Sequence, residues 1–361
     1  MHVLMTADTV GGVWTYTQDL VGELVRNGVQ VTLVSFGGLP SSEQTEWLRD
    51  LPEVDYRPTS LRLEWMREAA GDVEIARQYL TEVVRQVRPD LLHCNQFSFG
   101  SIKAEIPRVV VAHSDVVSWW ISVHGNQPPE NEWAWYRREV QNGLRGADLV
   151  IAPSGWMMSA LTANYQFDGE TRVIYNGRNV ALFKYCDTRD NFVLSVGRLW
   201  DKGKQLQLLL DENQSVPVYI AGASTEPGTA TIAPNGDPRL IGMLAPPQLI
   251  DLYSRASIYV ATSRYEPFGL APVEAALSGC ALILNGLPIF RELWDDDALY
   301  FECNDSHSLA RVVTQLSQSD GARQGLANRA QRRARERFSA TRMADEYCKV
   351  YEQVCLRERV A

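Results

Sequence analysis

The feature that most constrains this chain is an alternation of short apolar runs with helical patterns, which runs its course once and then starts again. Residues 3–7 read as a buried strand, Gly11-Gly12 as a turn, and residues 16–27 as a helix with Leu20, Val21, Leu24 and Val25 at helical spacing. Gly28 fits just past the end of that helix. Strands follow at 29–35, 91–94, 109–112 and 148–152, with a helix at 75–87 before the second of them. Past Asn176-Gly177 the pattern restarts, with strands at 192–196, 218–221, 258–261 and 281–284 and helices at 205–210, 247–255 and 272–277. Such βα units build parallel sheets, so the fold class is α/β, with two doubly wound, Rossmann-like domains. A length of 361 residues exceeds one ordinary core and agrees with two domains. The boundary is expected at 172, giving domains 1–172 and 173–340. A last amphipathic helix within 341–361 carries Met343, Tyr347, Val350, Tyr351 and Val354 on one face and needs an apolar surface to cover.

Composition narrows the function classes. With 45% hydrophobic and 22% charged residues and no long apolar run, the chain reads as a water-soluble globular protein. Its first residues lack the basic and apolar segments of a secretory signal, so a cytoplasmic location is expected with nothing removed. A net charge of −9 argues against a nucleic-acid binder. Six cysteines without C-x-x-C spacing suggest neither a zinc site nor a disulfide framework.

Three segments could carry chemistry. In Thr9-Val10-Gly11-Gly12-Val13-Trp14 a strand feeds a glycine turn and a helix start, whose N–H groups and dipole suit a phosphate. A turn needed only for packing is the alternative, and the absence of G-x-G-x-x-G disfavours a nicotinamide cofactor. In Gly197-Arg198-Leu199-Trp200-Asp201-Lys202-Gly203-Lys204 several cations leave the first strand of the second domain, where open α/β sheets bind ligands. They could neutralise a diphosphate, or form a solvated loop with Asp201 pairing Arg198 or Lys204. The third segment, Glu266-Pro267-Phe268-Gly269-Leu270-Ala271-Pro272-Val273-Glu274, sets one carboxylate in a glycine-containing loop and another one turn into the following helix. Carboxylates accept bidentate hydrogen bonds from vicinal diols, so sugar and ribose hydroxyls are natural partners; an exposed acidic helix face is the alternative.

With these segments in order, the chain resembles the retaining glycosyltransferases of family 4, which have the GT-B fold of two facing Rossmann-like domains with an interdomain cleft. The resemblance also rests on Ala147-Asp148-Leu149-Val150-Ile151-Ala152-Pro153-Ser154 and Val173-Ile174-Tyr175-Asn176-Gly177, and on the terminal helix, which in that family crosses back onto the first domain. It implies that Gly11 and Gly12 offer backbone to the donor phosphates and that Arg198 and a following lysine bind the diphosphate. Lys204 is favoured, with Lys202 as alternative. It further implies that Glu266, with Phe268, Gly269 and Leu270, holds the transferred sugar, Glu274 the ribose, and His113 a place near sugar and acceptor. The base is expected near Gly242, Met243 and Leu244.

The activity so implied is transfer of a hexosyl group, with retention, from a nucleoside-diphosphate sugar to a hydroxyl of a saccharide, a lipid-linked or a small-molecule acceptor. No cofactor and no divalent metal are expected. Membrane-surface association is left open by Lys103 and Arg108, although no strongly basic amphipathic helix accompanies them. A glycoside hydrolase using Glu266 and Glu274, or a binding protein without turnover, are the rival readings. Lesser candidates are His93, Asn95 and Gln96, facing an acceptor or serving structure, and Trp119, Trp120, Trp133 and Trp135, stacking on a sugar or packing a core. Asp295-Asp296-Asp297 and the basic run 329–337 are expected to be solvated.

Overall fold

Strands buried on both faces are apolar at most positions, and this is why the strand runs of the sequence lack a regular polar alternation. A computed structural model describes residues 1–186, 188–225 and 237–358. It divides into two units, one of Met1–Gly177 with the segment from Ala340 onward, the other Arg178–Ser339.

The first unit runs β1 (His2–Asp8), α1 (Gly12–Arg26), β2 (Gln30–Phe36), β3 (Asp55–Pro58), α2 (Ala70–Val87), β4 (Leu91–Cys94), β5 (Arg108–Val111), α3 (Val116–His124), α4 (Glu130–Gly146), β6 (Leu149–Ala152), α5 (Gly155–Asn164) and β7 (Glu170–Val173). Its sheet has the order β3-β2-β1-β4-β5-β6-β7, and all pairs are parallel. Successive residues point to opposite faces. Val3, Met5, Val31, Leu33, Leu91 and Val109 pack one way, against α1 and the terminal helix. Leu4, Val34, Leu92, Val110 and Val150 pack the other way, against α2, α4 and α5.

The second unit runs β8 (Asp190–Val196), β9 (Val218–Ala221), β10 (Leu240–Gly242), α6 (Pro246–Arg255), β11 (Ala256–Ala261), α7 (Leu270–Leu277), β12 (Ala281–Asn285), α8 (Pro288–Trp294), β13 (Leu299–Phe301), α9 (Ser306–Ser317) and α10 (Asp320–Arg337). Its parallel sheet has the order β10-β9-β8-β11-β12-β13. The final helix, α11 (Ala340–Glu358), buries Met343, Tyr347, Val350, Tyr351 and Val354 in the first unit, while residues 359–361 lie outside the described ones.

The division falls at 177/178, within several residues of the expected 172: β7 pairs with β6 and Ile174 N–H still donates to Ala152 C=O at 3.0 Å. One expectation is corrected. No α-helix starts at Gln205: the residue adopts φ 49° and a short 3-10 turn, Leu206–Leu209, follows.

In each sheet the strand order reverses once, between β1 and β4 and between β8 and β11. Ligands bind open α/β sheets beyond the carboxyl ends of the strands at such switch points. In the second unit the backbone closes tightly beside that point. Gly222, directly after β9, stands where a Cβ would lie 1.7 Å from the Gly197 carbonyl oxygen, so no side chain fits there.

Candidate active site

The loop leaving β8 is shaped by Asp201, whose side chain is 5% exposed. One carboxylate oxygen accepts the Gly203 N–H at 2.8 Å and the other accepts from Arg198 Nη2 at 2.6 Å. Arg198 also lies over the Trp200 ring, 5.0 Å from its centroid, and remains 42% exposed. The loop is tied to the end of β11 by Arg264 N–H donating to Gly203 C=O at 2.9 Å and Thr262 Oγ1 donating to Lys204 C=O at 2.8 Å.

These ties bring Lys204 Nζ to 2.5 Å from Glu266 Oε2, which also accepts from Ser263 Oγ at 2.9 Å. Asn285, at the end of β12, donates to Ser263 C=O at 3.1 Å and braces that turn. Lys202 is exposed and makes no ion pair among the described residues. Of the two candidate lysines, Lys204 is therefore the one gathered with Glu266 and the Arg198 loop.

Gly269 adopts φ 91°, a left-handed conformation that favours glycine, and a Cβ there would meet Glu266 Cγ at 3.1 Å. The loop can thus curl over Glu266 into α7, where Leu270 is the first, half-buried residue. Glu274 sits one turn in, and its Oε1 lies 2.9 Å from Arg178 Nε in a pair that is largely buried. Both glutamates flank the buried Tyr259: burial first, then the charges of Glu266 and Glu274, push its phenol well above its ordinary value.

Phe268 keeps its place in this loop, with its ring turned inward. Its ring is 3% exposed and packs edge-on against Phe338, so the aromatic face belongs to the core and not to a ligand surface. Met243 and Leu244 follow β10 at the same carboxyl edge, Met243 80% exposed and Leu244 half-buried. Asp297 pairs with Arg329 and Arg333 of α10, while Asp295, Asp296, Arg332 and Arg335 are exposed, as expected of solvated groups. Among the described residues no three His, Cys, Asp or Glu side chains gather to hold a metal ion.

In the first unit the switch point presents the Gly11-Gly12 turn and the end of β4. Asp8 accepts the Val10 N–H at 2.6 Å, and Thr9 Oγ1 donates to Phe36 C=O at 3.1 Å, which hold the turn. Gly11 precedes α1 at φ 77°, and the first turn of that helix has no acidic residue and no side-chain cap, so its N–H dipoles face outward.

His113, just past β5, is half-buried, and its Nε2 lies 2.7 Å from Asn95 Oδ1. His93 Nε2 lies 3.0 Å from the same oxygen. Burial pulls both imidazoles down, His93 to about 4 and His113, with His93 beside it, to about 3, so both are neutral at pH 7. Gln96 is 4% exposed, and both polar atoms of its amide are buried without a hydrogen-bond partner among the described residues. Trp119, Trp120 and Trp133 form a half-buried aromatic cluster with His124 and Tyr136 on α3 and α4. Arg108, a residue considered for a membrane surface, is tied to Asp148 at 3.1 Å.

A family model described as Glycosyltransferase Family 4 matches residues 10–182, and one described as Glycosyl transferases group 1 matches residues 184–337. The chain belongs to glycosyltransferase family 4. Its fold is the GT-B fold. Over 213 residues this glycosyltransferase is 24% identical to the O-antigen chain mannosyltransferase RfbU of Salmonella typhimurium, a stretch covering 55% of the chain and 60% of RfbU. Sucrose-phosphate synthase from Thermosynechococcus elongatus superposes with a TM-score of 0.80 at 18% identity, over 98% of both chains. Anabaena HepE, solved in complex with UDP and glucose, superposes with a TM-score of 0.72 at 18% identity, over 98% of this glycosyltransferase and all of HepE.

Sequence reasoning passed over Arg178, Ser263 and Asn285. Arg178 directly follows the Asn176-Gly177 motif, but its partner Glu274 is distant in the chain and no local spacing connects them. Asn285, a lone polar residue ending an apolar strand run, was the readable signal.

Proposed function

We propose that this glycosyltransferase moves a hexosyl group, with retention and without a divalent metal, from a nucleoside-diphosphate sugar to a hydroxyl acceptor. The observation that carries the reading is the Lys204–Glu266 pair beside Arg198 at the β8/β11 switch point, a cationic and an anionic group side by side where the fold binds ligands. A nucleotide sugar asks for both: cations for the diphosphate, a carboxylate for sugar hydroxyls.

In the step itself the bond from the anomeric carbon to the diphosphate oxygen breaks and a bond to the acceptor oxygen forms on the same face. The acceptor proton passes to the departing phosphate oxygen. Arg198 and Lys204 stabilise the charge that develops on the diphosphate, in place of a metal clamp. Glu266 orients the sugar, Glu274 accepts from the ribose, and the segment 242–244 offers backbone to the base. HepE, whose structure holds UDP and glucose, supports a nucleotide sugar as donor class by analogy of fold. RfbU, a mannosyltransferase by name, makes saccharide acceptors the first class to try.

The hydrolase reading has less support. Each glutamate is engaged by its own cation, which leaves no carboxyl set apart for proton donation. The test is a thermal-shift screen with UDP, GDP and ADP, followed by the matching sugar donors with saccharide and glycolipid acceptors. One nucleotide should raise the melting temperature, and its sugar donor should release nucleoside diphosphate only with acceptor present. A protein that no nucleotide stabilises, and that frees sugar from simple glycosides, would overturn the proposal.

A further inference from the structure

Four polar side chains connect the terminal helix to the ligand edge of the first sheet. Tyr351 OH, on α11, lies 2.6 Å from His93 Nδ1; His93 Nε2 lies 3.0 Å from Asn95 Oδ1; and Asn95 Oδ1 lies 2.7 Å from His113 Nε2. The Asn95 amide cannot be turned round. Its Nδ2 donates to Thr6 C=O at 2.6 Å, and exchanging the two amide atoms would set oxygen against oxygen there. The Asn95 backbone N–H, donating to Thr6 Oγ1 at 3.0 Å, holds the same residue in register with β1.

An amide oxygen only accepts, and Asn95 Oδ1 faces two ring nitrogens. Each ring must therefore carry its hydrogen on Nε2. The lone pair of His93 is then on Nδ1, where the Tyr351 hydroxyl donates. The lone pair of His113 is likewise on Nδ1, which has no hydrogen-bond partner among the described residues. The His113 ring makes a T-shaped contact with Tyr16, centroids 4.4 Å apart, which limits ring rotation. The low basicity of both rings keeps them neutral, so the hydrogen count is one per ring.

We infer that Asn95, oriented by Thr6 and backed by His93 and Tyr351, is a positioning residue that holds His113 as the Nε2–H tautomer and so presents Nδ1 as an acceptor to a sugar hydroxyl. The hydroxyl part rests on the proposed function; the tautomer does not. A phosphate oxygen, which has only lone pairs to offer when ionised, is repelled at that nitrogen. His113 therefore selects a donor group, and with so little basicity it accepts a hydrogen bond without removing the proton.

The test uses the full chain labelled with 15N-histidine and long-range proton–nitrogen correlation spectra at pH 7.5, the five histidines being assigned through His93→Gln and His113→Gln. His113 should show the Nε2–H pattern. Tyr351→Phe should change the His93 Nδ1 resonance and leave His113 as it is, whereas Asn95→Leu should convert His113 to a tautomer mixture. Wild-type His113 found as Nδ1–H or as imidazolium overturns the inference, and the wild-type spectrum decides this even if Asn95→Leu fails to fold. A folded Asn95→Leu with an unchanged His113 pattern also overturns it.

Adding UDP-glucose, GDP-mannose or ADP-glucose, whichever stabilises the protein, should shift the Nδ1 resonance, and the nucleoside diphosphate alone should not. An equal shift with the nucleoside diphosphate overturns the hydroxyl assignment. In turnover, Asn95→Leu should raise the donor KM about tenfold, the size of one lost hydrogen bond, with nucleoside-diphosphate affinity unchanged. Sugar transfer by a protein with Nδ1–H His113 sinks this inference alone; the Nε2–H tautomer in a protein that transfers from no donor sinks the transfer reading alone.

Discussion

Lys204 Nζ and Glu266 Oε2 stand 2.5 Å apart at the carboxyl ends of adjacent strands β8 and β11, while Lys202, two residues earlier, turns to solvent. The proposed mechanism needs cations that are held in place before the diphosphate leaves, and of the two candidate lysines Lys204 is the one so held. Lys204→Ala is expected to lower kcat on the order of a hundredfold, the effect of removing one preorganised donor from developing charge. Lys202→Ala should stay within about twofold of wild type, as a solvated lysine should. Steady-state kinetics with the accepted donor decides between them, and the reverse ranking would displace Lys204 from the site.

The backbone at this edge makes a second demand. Gly222→Ala drives a Cβ into the Gly197 carbonyl oxygen, and backbone on both sides leaves nothing flexible to yield. The strand ends must part, which disturbs Arg198 and its loop. The variant should lose several kcal/mol of stability, on the order of 3, and nucleotide-induced stabilisation with it. Urea unfolding with and without nucleotide reads both effects; a variant as stable as wild type would contradict the close approach.

How much of this was readable from residues alone differs by range of interaction. The inner strands were legible because burial on both faces makes them predominantly apolar, and residues 91–94 and 218–221 coincide with β4 and β9. Edge strands β3, β10 and β13 were not legible. They are short, and β3 is exposed or half-buried throughout, so its sequence carries no apolar signature. The two glutamates and the cationic loop stood out because chemistry and glycine spacing lie within a dozen residues. The Arg178–Glu274 pair and the Tyr351–His93–Asn95 chain join distant segments, and only the sheet and α11 bring them together. The direction of the Phe268 ring was not legible for a related reason: the motif showed its neighbours, not the core formed by Phe338 and Trp294.

The two neutral imidazoles predict a pH dependence of stability. In the unfolded chain a histidine protonates near its ordinary value of 6.5, whereas in the folded chain His93 and His113 do so only near about 4 and about 3. Because the folded values are depressed, the unfolded state binds more protons below 6.5, and stability is lost as pH falls from there toward 4. Between pH 7.5 and 5.5 each ring should contribute a loss of about 1 kcal/mol. Urea midpoints of wild type and His93→Gln at the two pH values check this. The variant should lose less on acidification than wild type, and an equal loss in both would show that His93 charges freely in the fold.

Gln96 supplies the last test, because stability and activity should move in opposite directions. Its amide is buried with both polar atoms lacking a partner among the described residues, an arrangement that costs on the order of 1 to 3 kcal/mol and that folded proteins rarely retain without a use. Asn95 beside it has both side-chain polar atoms engaged, so the local fold does not lack ways to satisfy an amide. At the end of β4, beside the β1/β4 switch point, the natural partner is a substrate hydroxyl, which can donate to the amide oxygen and accept from its nitrogen. Gln96→Leu keeps much of the volume and removes the unsatisfied groups. It should raise the unfolding free energy by about 1 kcal/mol while lowering kcat/KM for the acceptor about tenfold or more. Chemical denaturation and acceptor titration measure the two quantities independently. Lower stability with unchanged acceptor kinetics would make Gln96 a packing residue after all.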